Sequence, residues 1–192
     1  MVHDDRFGEH LFQDQDEEKL WIERARSGDA EAVGRLYWRY APAIFRYAYY
    51  RLGDSEVAQD LTADVFVRVI EALPRYRERG APFSAWLYRI AGARIADYYR
   101  RRRRQPTEEL SSEVRSSVGQ PEVEVESRLV AQELQRVLQG LSPAYQQVIV
   151  LRFVERLSHA EVARILRRSE GAVRVLQFRA LDALRRLLEK EP

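Results

Sequence analysis

Two helix-start signals eleven residues apart, in the C-terminal third of the chain, restrict its fold most strongly. Ser158 precedes Glu161 at the spacing of a capping box, in which each side chain accepts a hydrogen bond from the other residue's backbone N–H. Ser169 is the second cap. Apolar residues follow each cap at helical spacing: Val162, Ala163, Ile165 and Leu166, then Val173, Leu176, Ala180, Leu181 and Leu184. The pattern predicts a short helix, a tight turn and a longer helix.

The turn between these helices carries arginines where such motifs commonly place a glycine that takes a positive φ. An arginine at position 167 in the left-handed region would cost about 1 kcal/mol, which a domain tolerates. Arg174, Gln177 and Arg179 are left on the outer face, and these side chains read base edges or hold phosphates. The pattern favours a nucleic-acid-binding helix-turn-helix, and a helical hairpin that binds no DNA remains the alternative.

The rest of the chain also predicts helices, because no segment alternates apolar and polar residues with the period of a strand. We expect an all-α protein of two small helical domains joined by a flexible linker. Residues 1–15 predict a disordered N-terminus, 16–104 a four-helix bundle, 105–125 the linker and 126–192 the helix-turn-helix domain. Pro42 lies inside the second helix and is expected to bend or divide it.

Composition argues against several classes of protein. The chain has no cysteine, so disulfides and thiolate metal sites are excluded, and no apolar run reaches the ~20 residues of a membrane span. Its three histidines are scattered, and no nucleophile–base pair or glycine-rich phosphate loop is present. We therefore expect a non-enzymatic cytoplasmic protein with no metal and no cofactor.

Cations and aromatic side chains alternate around the start of the fourth helix. Arginines hold a nucleic-acid backbone while unstacked bases find aromatic rings, which is how single-stranded DNA is bound. The candidate residues are Arg75, Tyr76, Arg77, Phe83, Trp86 and Arg89, with Arg100 and Arg101 in the arginine run at the helix end. Alternatively, Phe83 and Trp86 belong to the buried face of that helix with Leu87 and Ile90. Trp86 is left open between these readings, and Tyr76, in the loop, is expected to be exposed.

An acidic face distinguishes the third helix. Glu56, Asp60 and Asp64 share one side, whereas Leu61, Val65 and Val69 lie near the other. Paired carboxylates serve catalysis or metal binding, but this face has no histidine partner. A solvated or protein-binding face is the better interpretation.

Together these residues resemble the sigma-70 family of bacterial transcription initiation factors, in its extracytoplasmic-function group, from about residue 20 to 188. The matching stretches are Arg24-Ala-Arg-Ser-Gly-Asp-Ala-Glu-Ala32, Leu36-Tyr37, Tyr40-Ala-Pro42, Asp60-Leu-Thr-Ala-Asp-Val-Phe66, Phe83-Ser-Ala-Trp-Leu-Tyr-Arg-Ile-Ala91, Asp97-Tyr-Tyr-Arg100, Leu141-Ser-Pro143, Val150-Leu-Arg-Phe153, Leu157-Ser158, Glu161-Val-Ala163 and Ser169-Glu-Gly171.

The resemblance implies roles for the candidate residues. The β′ clamp of core RNA polymerase would be contacted by the face of Asp60, Asp64 and Phe66, or by a face that these residues support. The β flap of the polymerase would be a second contact. Residues 83–104 and the loop before them would recognise and melt the −10 promoter element. The second helix of the motif, which begins at Ser169, would enter the major groove of the −35 element. Its residues Glu170, Arg174 and Gln177 would lie near bases. Arg164, Arg168 and Arg179 would lie near phosphates. An anti-sigma factor is a further implied partner.

Two departures from the family pattern are visible. Ala63-Asp64 stands where members usually carry Gln-Glu, and Gln177-Phe178 stands where a basic–polar pair is more usual. The rival hypothesis is an autonomous helix-turn-helix regulator, which would dimerise and bind palindromic duplex alone. A helical RNA-binding protein is a third, weaker alternative.

Overall fold

The computed structural model describes residues 6–78, 80–104 and 133–189, with side chains from residue 16 onward. The described residues form eight helices and no strand, which confirms the all-α prediction. The first four are α1 (Arg6–Arg26), α2 (Ala30–Leu52), α3 (Ser55–Ala72) and α4 (Phe83–Arg104); the others are α5 (residues 133–139), α6 (Pro143–Ile149), α7 (His159–Leu166) and α8 (Glu170–Leu188). None of them is long and apolar enough to cross a membrane.

Local capping fixes the ends of α2 and α3. The Asp29 carboxylate accepts hydrogen bonds from the N–H groups of Glu31 and Ala32 at 2.9 and 3.2 Å, and Asp54 caps α3 in the same way. Gly53 takes the left-handed conformation (φ 85°) that ends α2. These boundaries match the sequence prediction.

The structure corrects two expectations, the division of α2 at Pro42 and the disorder of residues 6–15. Pro42 does not divide α2, because buried Ala41, Ile44 and Tyr47 hold the helix against the core around the proline. Helix α1 begins at Arg6, so residues 6–15 are helical where we expected disorder, and no proline interrupts their sequence. Residues 1–5 and the predicted linker, 105–125, lie outside the described residues.

Helices α1–α4 enclose one apolar core. Its most deeply buried side chains include Ile44, Tyr47, Val65, Leu87 and Ile95. The side of α3 that was predicted to be apolar, with Leu61, Val65 and Val69, is the side that packs inward. This bundle therefore presents the opposite, acidic side of α3 to solvent.

The C-terminal helices add further residues to the same cluster of buried side chains, including Leu138, Val148, Leu151, Val162 and Val173. Helix α6 has Pro143 in its first turn, as predicted, and continues directly into a π-helical turn, Val150–Val154. The sequence pattern did not predict this turn. It is followed by Glu155 and by Arg156, whose φ is 55°.

The two bundles pack against each other through α4 with α7 and through α2 with the π-helical turn. The Glu155 carboxylate reaches across: its oxygens lie 3.2 and 2.9 Å from the Nε and Nη2 atoms of Arg46, and the Tyr88 hydroxyl donates to it at 3.0 Å. The Gln147 amide also donates to the Tyr47 hydroxyl at 3.0 Å. The expectation of two domains on a tether did not include this contact, because its partners are up to 109 residues apart in sequence.

Candidate nucleic-acid interface

A cavity of about 360 Å³ lies where the loop after α3 meets the start of α4. Five of the eight residues predicted to bind −10 DNA line it together: Arg75, Tyr76, Arg77, Trp86 and Arg89. The loop begins with a tight 3-10 turn, Leu73–Arg75, which anchors buried Leu73 and directs the following residues across α4. The fold thus gathers alternating cations and aromatic rings around one opening.

Tyr76 was predicted to be exposed, which was wrong, because only 8% of its surface is accessible to solvent. Its ring packs against Phe83 and Trp86 at centroid distances of 5.2 and 4.7 Å. Burial raises the pKa of Tyr76 to about 12, with the negative charges of Glu78 and Glu18 adding to the effect. Tyr76 still contributes to the cavity wall, as a fixed neutral ring.

Phe83 was predicted to touch DNA, but the structure buries it, at 2% exposure. It contacts Tyr40, Tyr76 and Trp86 and so forms the hidden centre of an aromatic cluster. The alternative, a buried face of α4, was correct for this residue. Trp86 is half-buried: it packs on Phe83 and also lines the cavity.

Arg100 and Arg101 lie in the last turns of α4, apart from the cavity, and both are exposed. Arg100 forms an ion pair with Asp97, one turn earlier on the same helix. Arginines here also complement the negative end of the helix dipole. This helix end therefore forms a second positive surface, at the opposite end of α4 from the cavity.

The exposed side of α3 is part acidic and part apolar. Asp60 is exposed, whereas Asp64 is half-buried and pairs with Arg94 of α4. Phe66 is buried against Tyr37, with ring centroids 4.8 Å apart, so it supports this surface without reaching it. Sequence reasoning missed Val67, which is 53% exposed.

Two further apolar residues are exposed: Ile70 on α3, and Trp38 on α2, whose ring contacts Tyr37, the partner of Phe66. Asp60, Val67 and Ile70 share one side of α3, since they recur at helical spacing opposite the buried stripe. The sequence signal for this surface was the presence of apolar residues on the solvent side of an amphipathic helix, and it was missed. We call Asp60, Val67, Ile70 and Trp38 the α3 surface.

The helix-turn-helix is built as its caps predicted. The Glu161 N–H donates to the Ser158 hydroxyl at 3.2 Å, and the Glu161 carboxylate accepts from the Ser158 N–H at 2.7 Å. Ser169 caps α8 through the Ala172 N–H. Arg167 takes the left-handed conformation (φ 53°), which confirms the strained turn. Leu181 was predicted to be apolar core but is 39% exposed.

The start of α8 points its polar residues to solvent. Glu170, Arg174 and Arg179 are exposed, as are Arg164 of α7 and Arg168 of the turn. Arg168 and Arg179 also share the lining of a second cavity, of about 400 Å³. These predicted positions are therefore accessible to a groove.

Gln177 is placed differently from its prediction. Its side-chain oxygen accepts a hydrogen bond from Arg152 at 2.9 Å and lies 3.1 Å from the Nε2 atom of His159. Both partners come from neighbouring elements of the same bundle, so this amide oxygen braces the motif and is not free for a base. The sequence pattern did not indicate this contact because Arg152 is 25 residues away in sequence.

Two apolar residues on α8 were missed. Phe178 is 75% exposed and Val175 is half exposed, and they lie one turn apart. Exposed apolar side chains on a groove-binding helix contact the methyl group of thymine. Their positions between exposed Arg174 and Arg179 could have suggested this role from sequence.

Comparison with known proteins fits this arrangement. The sequence matches Sigma-70 region 2 over residues 36–105 and Sigma-70, region 4 over residues 137–186. It is 37% identical over 169 residues to the ECF RNA polymerase sigma factor BldN of Streptomyces coelicolor, covering 87% of this chain and 64% of that protein. It is 34% identical over 171 residues to the ECF RNA polymerase sigma factor SigD of Mycobacterium tuberculosis, covering 85% and 80%.

The fold is also that of a solved structure, CnrH in complex with the cytosolic domain of CnrY. The TM-score is 0.70, with 26% identity, over 91% of this chain and 99% of that one. The matched regions include the cavity residues of α3, α4 and the loop between them, and the helix-turn-helix of α7 and α8. The chain therefore belongs to the sigma-70 family, in its ECF group of RNA polymerase sigma factors.

Proposed function

We propose that this sigma factor directs core RNA polymerase to promoters through three of its surfaces. The α3 surface docks on the β′ clamp of the polymerase. The cavity lined by Arg75, Tyr76, Arg77, Trp86 and Arg89 captures a base of the melted −10 strand, and the exposed side of α8 reads the −35 duplex. The protein performs no catalysis itself and acts in the bacterial cytoplasm, at the nucleoid.

The cavity is the observation that carries the proposal. Pulling a base out of the duplex costs a few kcal/mol, and stacking on an aromatic ring returns about 1–3 kcal/mol per base. Trp86 offers ring surface, with the buried Tyr76 ring packed against it, and Arg75, Arg77 and Arg89 are positioned for the adjoining phosphates. Burial of Phe83 behind these rings fixes their positions before DNA arrives.

For the −35 element, α8 enters the major groove with its N-terminal residues first. Glu170 and Arg174 approach base edges, and Phe178 and Val175 approach thymine methyl groups. Arg164, Arg168 and Arg179 hold phosphates on either side of the groove. Gln177 is kept as a brace of the motif.

On the α3 surface, apolar Val67, Ile70 and Trp38 supply area that polymerase binding removes from water, and Asp60 supplies charge. Asp64 acts through its pair with Arg94, which joins α3 to α4. The β flap is the proposed contact for the C-terminal bundle. Because CnrH is solved with the cytosolic domain of CnrY, we also propose an anti-sigma factor as a partner.

Promoter binding on this scheme requires the two bundles to separate. The −10 and −35 elements are 25 base pairs apart by definition, about 85 Å along the duplex. A compact chain of this length has a radius of gyration of only about 16 Å. While the bundles are packed together through Glu155, they do not reach both promoter elements at once. The packed form is therefore the form of the protein that is not bound to a promoter.

The residue assignment is tested by holoenzyme binding to a promoter fragment that is already single-stranded at −10. We expect Trp86→Ala to weaken this binding about 5- to 150-fold, as lost stacking predicts, and Arg89→Ala to weaken it about tenfold. Arg35→Ala, a surface arginine on α2, is the matched control and should bind normally. Equal binding by all four proteins would overturn the assignment.

A further inference from the structure

The cavity beside Trp86 is completed by a residue from the other bundle. Arg167, in the turn of the helix-turn-helix, lines it together with Arg75, Arg77 and Arg89 of the first bundle. Arg167 is there only because α7 packs against α4. The packed form therefore holds four guanidinium groups around one opening, and a separated form would hold three.

These four arginine side chains make no hydrogen bond or ion pair within the part of the chain that the structure describes. The nearby acid Glu78 is exposed and pairs with none of them. Like charges gathered at a packed interface repel one another, so the packed form gains from an anion in the cavity. An anion that meets four cations there also binds this form better than the separated one.

The rest of the lining suggests what accompanies the negative charge. The Trp86 ring lies along the cavity and is half-buried, and the buried Tyr76 ring packs against it, with centroids 4.7 Å apart and the rings tilted by 40°. A volume of about 360 Å³ is within the range of small-ligand pockets, about 300–1,000 Å³. A flat aromatic group joined to several phosphates matches both parts of the lining.

We infer that the packed protein binds a free nucleoside polyphosphate in this cavity, with its base on the accessible part of the Trp86 ring and its phosphates on the four arginines. The nucleotide would hold the two bundles together and occupy the place of the −10 base. The inference extends the proposed use of this cavity, but it does not depend on it, because it concerns the free protein.

The test is calorimetric titration of the full chain with GTP, ATP and inorganic triphosphate, in the absence of DNA and polymerase. Arg167→Asn removes the charge while keeping a residue that tolerates positive φ. Arg156→Asn is the matched control: Arg156 is an exposed arginine of the same bundle with φ 55°, and it does not line the cavity. Loss of one charged contact should weaken nucleotide binding about tenfold or more in Arg167→Asn only.

Three results would overturn the inference: no binding of either nucleotide, equal binding by Arg167→Asn and Arg156→Asn, or equal affinity for inorganic triphosphate and nucleotide. Failure of −10 capture gives a different pattern. In that case the free chain would still bind nucleotide, whereas holoenzyme carrying Arg89→Ala would bind the promoter fragment with unchanged affinity.

Discussion

The contact between the bundles yields the prediction that is most closely tied to geometry. The Glu155 side chain is 2% exposed and accepts from Arg46 and from the Tyr88 hydroxyl. Burial and the Glu155 charge both raise the pKa of Tyr88, so its hydroxyl stays a donor at all ordinary pH values. Glu155→Gln keeps the size of the side chain and removes its charge.

The magnitude follows from the two partners. Arg46 is 49% exposed, so solvent screening limits its pair to about 0.5–1 kcal/mol. A buried hydroxyl that donates to a charged acceptor contributes about 1.5–3 kcal/mol. Glutamine retains one neutral hydrogen bond of about 1 kcal/mol. The net loss of about 1–3 kcal/mol shifts the ratio of packed to separated forms by about 5- to 150-fold.

Energy transfer between two dyes measures this shift. The chain has no cysteine, so Glu17→Cys and Arg185→Cys, both at exposed positions, would be the only labelling sites. We expect transfer to fall in Glu155→Gln and in Tyr88→Phe. Glu23→Gln, which removes a partner from an exposed pair within α1, is the control. Equal transfer in all of these proteins would refute the reasoning.

Three further predictions concern binding and stability. Val67→Asp should weaken core polymerase binding at least fivefold, because about 1 kcal/mol of apolar burial is lost. Leu20→Asp, at an equally exposed position on α1, should bind normally. Equal recovery of core polymerase by both variants in a pull-down would contradict the role of the α3 surface. Arg167→Gly should raise the free energy of unfolding in urea by about 0.5–1 kcal/mol, because glycine relieves the left-handed strain, and a decrease would show that the side chain stabilises the fold. Burial raises the pKa of Tyr76 to about 12, so its contribution to stability is complete below about pH 10 and is lost as the pH rises through 12. Tyr76→Phe should therefore remove one late-titrating tyrosine from the alkaline absorbance titration. An unchanged titration would contradict the burial of Tyr76.

The sequence predicted features whose determinants lie close together in the chain. The capping box of Ser158 and Glu161, the Asp29 cap and the strained Arg167 depend on residues at most five positions apart, so pattern alone locates them. The gathering of Arg75, Trp86 and Arg89 was also accessible, since a short loop joins them to one helix start.

The errors concern residues whose surroundings are distant in sequence. An aromatic side chain in a basic loop fits both a buried and an exposed position, and only the packing of Phe83 against Tyr40 and Tyr76 decides between them. Gln177 looked free until Arg152 was brought beside it. The Glu155 contact was beyond pattern analysis because neither helical spacing nor charge distribution reports which bundle faces which.

In vitro transcription from fragmented genomic DNA tests the central claim most directly. Purified chain, core RNA polymerase and nucleotides are combined, and the start sites of the transcripts are mapped. We predict transcripts from a small set of start sites that share −10 and −35 sequences and that require both the chain and core polymerase. Absence of any chain-dependent start site, or specific binding of palindromic duplex by a dimer of the chain alone, would contradict it.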